Sequence, residues 1–174
     1  MRHGLLIGML LLLISVLSFT ACGGGCGGND SQPPTKATVK IMASGSLSTG
    51  TLIAGVDVTL NLPAGVTVKA TADTVHPSVY ITDAGAVTAS GVAAANTTLA
   101  LATYTAASSS PGKVVINLVN PNGFSVGEFV TVSCDIAAGA APTTQSFSVS
   151  NFKAVGLDGA VITGLTAGLT ADLQ

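Results

Sequence analysis

The chain has 174 residues, of which 48% are hydrophobic and only 8% charged, with a formal net charge of −2. That length suits one domain with an appendage. The five lysines stand singly along the chain, so there is no positive footprint for nucleic acid, and no acidic tail either.

The first element is a leader. "MRHG" supplies a short positive start, "LLIGMLLLLISVL" (5–17) is uncharged and apolar, and "SFTA" closes with small residues before Cys22. This is the layout of a secretory signal peptide, and the apolar run is short for a membrane span of about 20 residues. "FTAC" (19–22) resembles a bacterial lipobox, although Phe19 stands where Leu is usual. The resemblance implies that Cys22 becomes a diacylglyceryl-modified N-terminus after residues 1–21 are removed. Gly23 follows; an Asp there would hold a lipoprotein at the inner membrane, so its absence implies an outer-membrane or cell-surface location. The cut leaves five Lys against eight acids, a formal charge of −3. Residues 22–36 then read as a tether, Gly-rich first and Pro-stiffened later, with nothing to bury.

From Ala37 onward the sequence predicts an all-β domain, residues 37–174. Short Val/Ile/Thr runs are broken by Gly, Pro, Asn and Asp, and no helical period appears. "ATVKIMA" (37–43) and "VDVTLNL" (56–62) alternate apolar and polar residues, predicting strands with one buried face. "PAG" (63–65) reads as a turn. "VTVKA" (66–70), "SVYIT" (78–82), "AVTAS" (86–90), "TTLALATYT" (97–105) and "KVVINLV" (113–119) read as further strands. "DAG" looks like a hairpin turn between 78–82 and 86–90, and "NPNG" (120–123) reads as the strongest turn in the chain. "ASGVAAAN" (89–96) could form a short helical turn. "EFVTVSCDI" (128–136) sets Val130, Val132, Cys134 and Ile136 on one face; 146–155 and 159–173 close the domain. The expected fold is a single jelly-roll β-sandwich of about nine strands.

Catalytic signals are thin. The body holds one histidine, His76, in "TVHPSV", with nothing to complete a triad. The acids Asp30, Asp57, Asp73, Asp83, Glu128, Asp135, Asp158 and Asp172 are dispersed, so no carboxylate pair is indicated and no EF-hand spacing occurs. Cys26 and Cys134 read as a leftover tether thiol and a buried inert thiol. No enzyme activity, metal or cofactor is expected. With no Trp, two Tyr and five Phe, the candidate ligand contacts are Tyr80, Tyr104 and Phe124, the last beside the 120–123 turn. Phe147 and Phe152, five apart, should face opposite sides of a regular strand.

The series "AGVDVTLNLPAGV", "ASGV", "GEFVTVSCDIAAG" and "FSVSNFKAVGLDGAVI" resembles the cohesin-like family, close to the bacterial carbohydrate-binding sandwiches. The resemblance covers about residues 37–173. It implies a jelly roll that binds dockerin-like or envelope protein partners without catalysis. The alternative it leaves open is a carbohydrate-binding module serving polysaccharide attachment or breakdown.

Overall fold

A computed structural model describes residues 32–70, 79–80, 85–97, 99–105 and 112–174. The leader, Cys22, Cys26, the tether up to Ser31, His76, Asp73 and Asp83 lie outside the described residues. Gln32–Gln174 make one compact unit.

Among the described residues eleven strands follow one another: β1 Lys36–Ser44, β2 Ile53–Asn61, β3 Val66–Val68, β4 Val79–Tyr80, β5 Val87–Ala89, β6 Leu99–Thr105, β7 Lys113–Phe124, β8 Gly127–Ile136, β9 Ser148–Gly156, β10 Val161–Ile162 and β11 Thr166–Leu173. They form two antiparallel sheets. One runs β11-β1-β8, with β3 and β5 both paired to the far side of β8; the other runs β10-β9-β2-β7-β6-β4. The all-β sandwich expected from alternation is the fold observed.

The alternating residues explain the packing. Val39 and Ile41 of β1, Val56, Val58 and Leu60 of β2, Val114, Ile116 and Leu118 of β7, and Val130 and Val132 of β8 all point between the sheets and are buried. Each such side chain contributes about 1.5–3 kcal/mol by leaving water. Branched side chains suit a pleated surface, which is why these runs become strands.

Bulges do what alternation alone cannot. The β1–β8 register runs Ile41↔Val130 and then Met42↔Glu128, which leaves Phe129 as an extra residue. Both Phe129 and Val130 are therefore buried. Phe129 joins Phe124 and Phe152, with ring centroids 6.3 Å and 6.4 Å away and tilted planes, within the range of favourable aromatic pairing. A second bulge lies in β9. There the β2–β9 register shifts between Asp57 and Thr59, and Asn151 takes a left-handed φ of 54°. One residue is gained, so Phe147 and Phe152 both pack on the core instead of facing opposite sides.

Three further expectations are corrected. Residues 120–123 do not end a strand: β7 runs through them as a wide bulge, because Gly55 pairs with Val119 while Ile53 pairs with Phe124. The buried Asn120 holds the bulge, its Oδ1 accepting from Asn122 N at 3.1 Å and its Nδ2 donating to Ala95 O at 2.8 Å. The segments around "DAG" are not a hairpin: β4 pairs with β6 in one sheet and β5 with β8 in the other. The 159–173 stretch splits into β10 and β11 around Gly164, which has φ 82°. The short helical turn in 89–96 is present as a single 3-10 turn, Gly91–Ala93.

Candidate interaction face

The residue types at the outward positions separate the two sheet surfaces. On the five-stranded sheet the outward positions of β1 and β8 carry Lys36, Thr38, Lys40 and the half-buried Met42, with Thr131, Ser133 and Asp135. Lys36 Nζ lies 3.1 Å from Asp135 Oδ1, and Lys40 Nζ lies 3.3 Å from Glu128 Oε2. The Ser90 hydroxyl, followed by Lys40 and Thr131, holds the Glu128 carboxyl below its ordinary range. This surface is hydroxylated and internally paired, and water can solvate what remains.

The six-stranded sheet presents something different. Cross-strand register sets its outward residues in rows. One row is Val161–Val155–Gly55–Val119. The next is Lys153–Asp57–Asn117–Leu101, in which Asn117 Nδ2 donates to Asp57 Oδ1. The third is Ser150–Thr59–Val115–Thr103. Val115, Val119 and Val161 are 39%, 42% and 55% exposed, and Leu101 and Val155 are half-buried. Gly55 keeps the first row low: a Cβ there would lie 2.8 Å from Val155 Cγ2. Leu157, also exposed, sits on the turn after β9. One apolar row therefore borders a polar one on a single sheet face, with the exposed Val115 beyond it among hydroxyls, a composition suited to a protein contact, which combines apolar area with a few orienting polar groups.

The sequence named none of these valines, although "KVVINLV" contains the signal. Val114, Ile116 and Leu118 already fill one face, so Val115 and Val119 make the other face apolar as well. A strand apolar on both faces is either central to a covered sheet or half of an interface.

The sequence-predicted contacts do not gather here. Tyr104 is 7% exposed and Phe124 4% exposed, and both lie in the core. Their rings pack inward because each falls at an inward position of its strand, so neither offers the open stacking platform expected of it. Burial raises the Tyr104 phenol above its ordinary pKa, with Cys134 adding to the shift. Tyr80 pairs in β4 opposite Thr103, and its ring lies outside the described side chains. Cys134 is buried as expected, and burial, followed by the neighbouring Asp135 charge, pushes its thiol up to about 12. It therefore stays protonated at neutral pH, whereas nucleophilic and metal-binding cysteines are thiolates. Among the described residues no three His, Cys, Asp or Glu side chains converge in a way that could hold a metal ion, and no helix is long and apolar enough to cross a membrane.

No protein-family model matches the chain. No curated protein matches it either. Among solved structures it is similar to a non-cellulosomal cohesin from the hyperthermophilic archaeon Archaeoglobus fulgidus. That likeness has a TM-score of 0.46 and 11% identity, covering 75% of this chain and 75% of that one. A likeness of that size carries no information about a partner.

Proposed function

We propose that this chain is an exported, non-catalytic binding module, lipid-anchored through Cys22, which captures another surface or secreted protein on the outer face of its six-stranded sheet. The observation that carries the reading is the exposed valines Val119 and Val161 of one apolar row, with Val115 on the other side of the Asp57–Asn117 hydrogen bond. The lipobox-like "FTAC" and the cohesin-like order of strands and turns support it from the sequence. Burial of Tyr104 and Phe124 removes two of the three rings on which a carbohydrate-binding reading leaned.

The test is capture of a protein from the source's envelope fraction by the parent chain and by a Val115→Asp, Val119→Asp double variant. The parent should retain a discrete partner and the variant should lose it, since two carboxylates would be desolvated in the contact. Retention of glycans on an array, with no protein captured, overturns the proposal. The anchor is tested separately by mass spectrometry of the mature protein; a chain that begins at Met1 or carries no acyl group on Cys22 refutes it.

A further inference from the structure

A strand at a sheet edge leaves a row of N–H and C=O groups unpaired, and folded proteins guard such edges by shortness, bulges, lysines or prolines. Most of the edges here are guarded. β3, β4, β5 and β10 are two or three residues long. Where β10 leaves β9 uncovered, β9 carries the Asn151 bulge and Lys153. Among the described residues, the longest edge strand without such a guard is β11, eight residues long, reading "TAGLTADL", with no lysine, no proline and no break in its register with β1.

The hydrogen-bond phase of β11 follows from its end. Lys36 N donates to Gln174 O at 3.0 Å and Gln174 N donates to Lys36 O at 2.9 Å. Residues 36 and 174 are thus a mutually bonded pair, and in an antiparallel ladder every second pair repeats this. Asp172, Thr170, Gly168 and Thr166 turn their backbone groups toward β1. Ala167, Leu169, Ala171 and Leu173 turn theirs away from it, to the free edge. The side chains of these four residues are half-buried. An open groove of about 590 Å³ runs beside Leu169–Ala171, bounded on its other side by Thr144, Gln145 and Phe147.

We propose that two copies of this chain pair edge to edge through β11, antiparallel, with the two-fold axis at Leu169. Self-complementarity selects a second copy as the occupant. In that register Leu169 faces Leu169 of the other copy and Ala167 faces Ala171, so outward-turned backbone groups meet outward-turned ones and about six hydrogen bonds close. Leu165 meets Leu173. The single charge of the strand, Asp172, lies opposite Thr166 and never opposite another carboxylate. The incoming Leu169 covers the groove floored by Phe147, and the five-stranded sheet becomes a continuous ten-stranded one. The contact area is small, so the dimer is weak in solution, and anchoring of both copies to one membrane would raise their effective concentration.

The test is sedimentation equilibrium of Gln32–Gln174, which holds the whole described core, up to about 1 mM. A concentration-dependent dimer is expected. Ala171→Pro deletes only an outward N–H and should weaken the dimer at least tenfold. Should that variant unfold, Gly168→Lys with Thr170→Lys serves instead. Those side chains face solvent, a Cβ at Gly168 meets nothing closer than Met42 Cγ at 3.7 Å, and the register sets position 168 against position 170 of the other copy, so the added ammonium groups repel. A chain that stays monomeric throughout overturns the proposal, as does a dimer that both variants leave unchanged. The Val115/Val119 variant should dimerise like the parent, which separates this result from loss of partner capture.

Discussion

Asn120 tests how the wide bulge of β7 is held. It is 1% exposed, and its amide accepts from Asn122 N, donates to Ala95 O and reaches Thr97 Oγ1 at 3.4 Å. Asn120→Leu keeps nearly the same volume and removes every one of these bonds. Orphaning a buried backbone group costs about 1–3 kcal/mol. Ala95 and Asn122 are themselves exposed residues, so water can reach part of each freed group and the low end applies. Two orphaned groups then give about 2 kcal/mol, against which the apolar side chain recovers a fraction. For a unit of this size that corresponds to a fall in Tm of roughly 4–8 °C. Thermal unfolding of Gln32–Gln174 followed by circular dichroism measures it. A change below about 2 °C would refute the reasoning, because it would mean that the backbone and not the Asn120 side chain fixes the bulge.

Three further predictions concern the rest of the sandwich. Gly91→Ala should destabilise by about 3 kcal/mol, since Gly91 has φ +54° and an added Cβ would lie 2.3 Å from Glu128 O; an unchanged melting curve would contradict the close approach of the 3-10 turn to β8. The Cys134 thiol, pushed up to about 12, should resist alkylation at pH 8 in folded Gln32–Gln174 and react promptly in denaturant; fast labelling of the native state would show the side chain to be accessible. Glu128, held below its ordinary pKa first by Ser90, contributes stability that is present above the unfolded pKa of about 4.3 and lost as pH falls through the lower folded value. Ser90→Ala should therefore narrow the stability difference between neutral and strongly acidic pH, and an unaltered difference in urea titrations would remove Ser90 from that role.

Alternation made the sandwich legible because burial has a period of two. The inward sets of β1, β2 and β8 follow the alternation read from their segments, and Cys134 falls where its position in "EFVTVSCDI" put it. Bulges break that period without any residue type announcing them. Phe152 was assigned by counting from Phe147 along a regular strand, and the extra residue at Asn151 reversed its face. Phe129 likewise reached the core through a register shift. The "NPNG" signal was correct about local conformation, with Gly123 at φ 69°, but turn residues cannot distinguish a chain reversal from an excursion inside one strand. Tyr104 and Phe124 were chosen for their chemistry; Tyr104 instead shares the inward face of β6 with Ala102, and Phe124 returns to the core beyond the bulge of β7. The interaction face lay hidden because the eye reads "VVINLV" as a core strand and stops at its first face.

The composition acquires a physical meaning once the faces are separated. A mean hydropathy of +0.65 with 8% charged residues would suggest a membrane protein. Part of that apolar excess is the run 5–17; within the described unit the rest fills two inward sheet faces and part of one outward face, while hydroxyls take the place that charges hold on most surfaces. Thr38, Thr131 and Ser133 hydrate the five-stranded sheet at little electrostatic cost, and the lysines there are spent on Asp135 and Glu128. On the other face, Asp57 is bonded to Asn117 and paired in register with Lys153. With so little free charge, neither partner capture on the exposed valines nor pairing through β11 can depend on long-range attraction, which would be screened within about 10 Å at 0.1 M salt. Both associations should therefore hold their strength between about 50 mM and 500 mM salt, or gain slightly as salt strengthens apolar burial. A dissociation constant that rises steeply with salt, measured for the dimer by sedimentation, would place charged groups at the contact and exclude β11 as its centre.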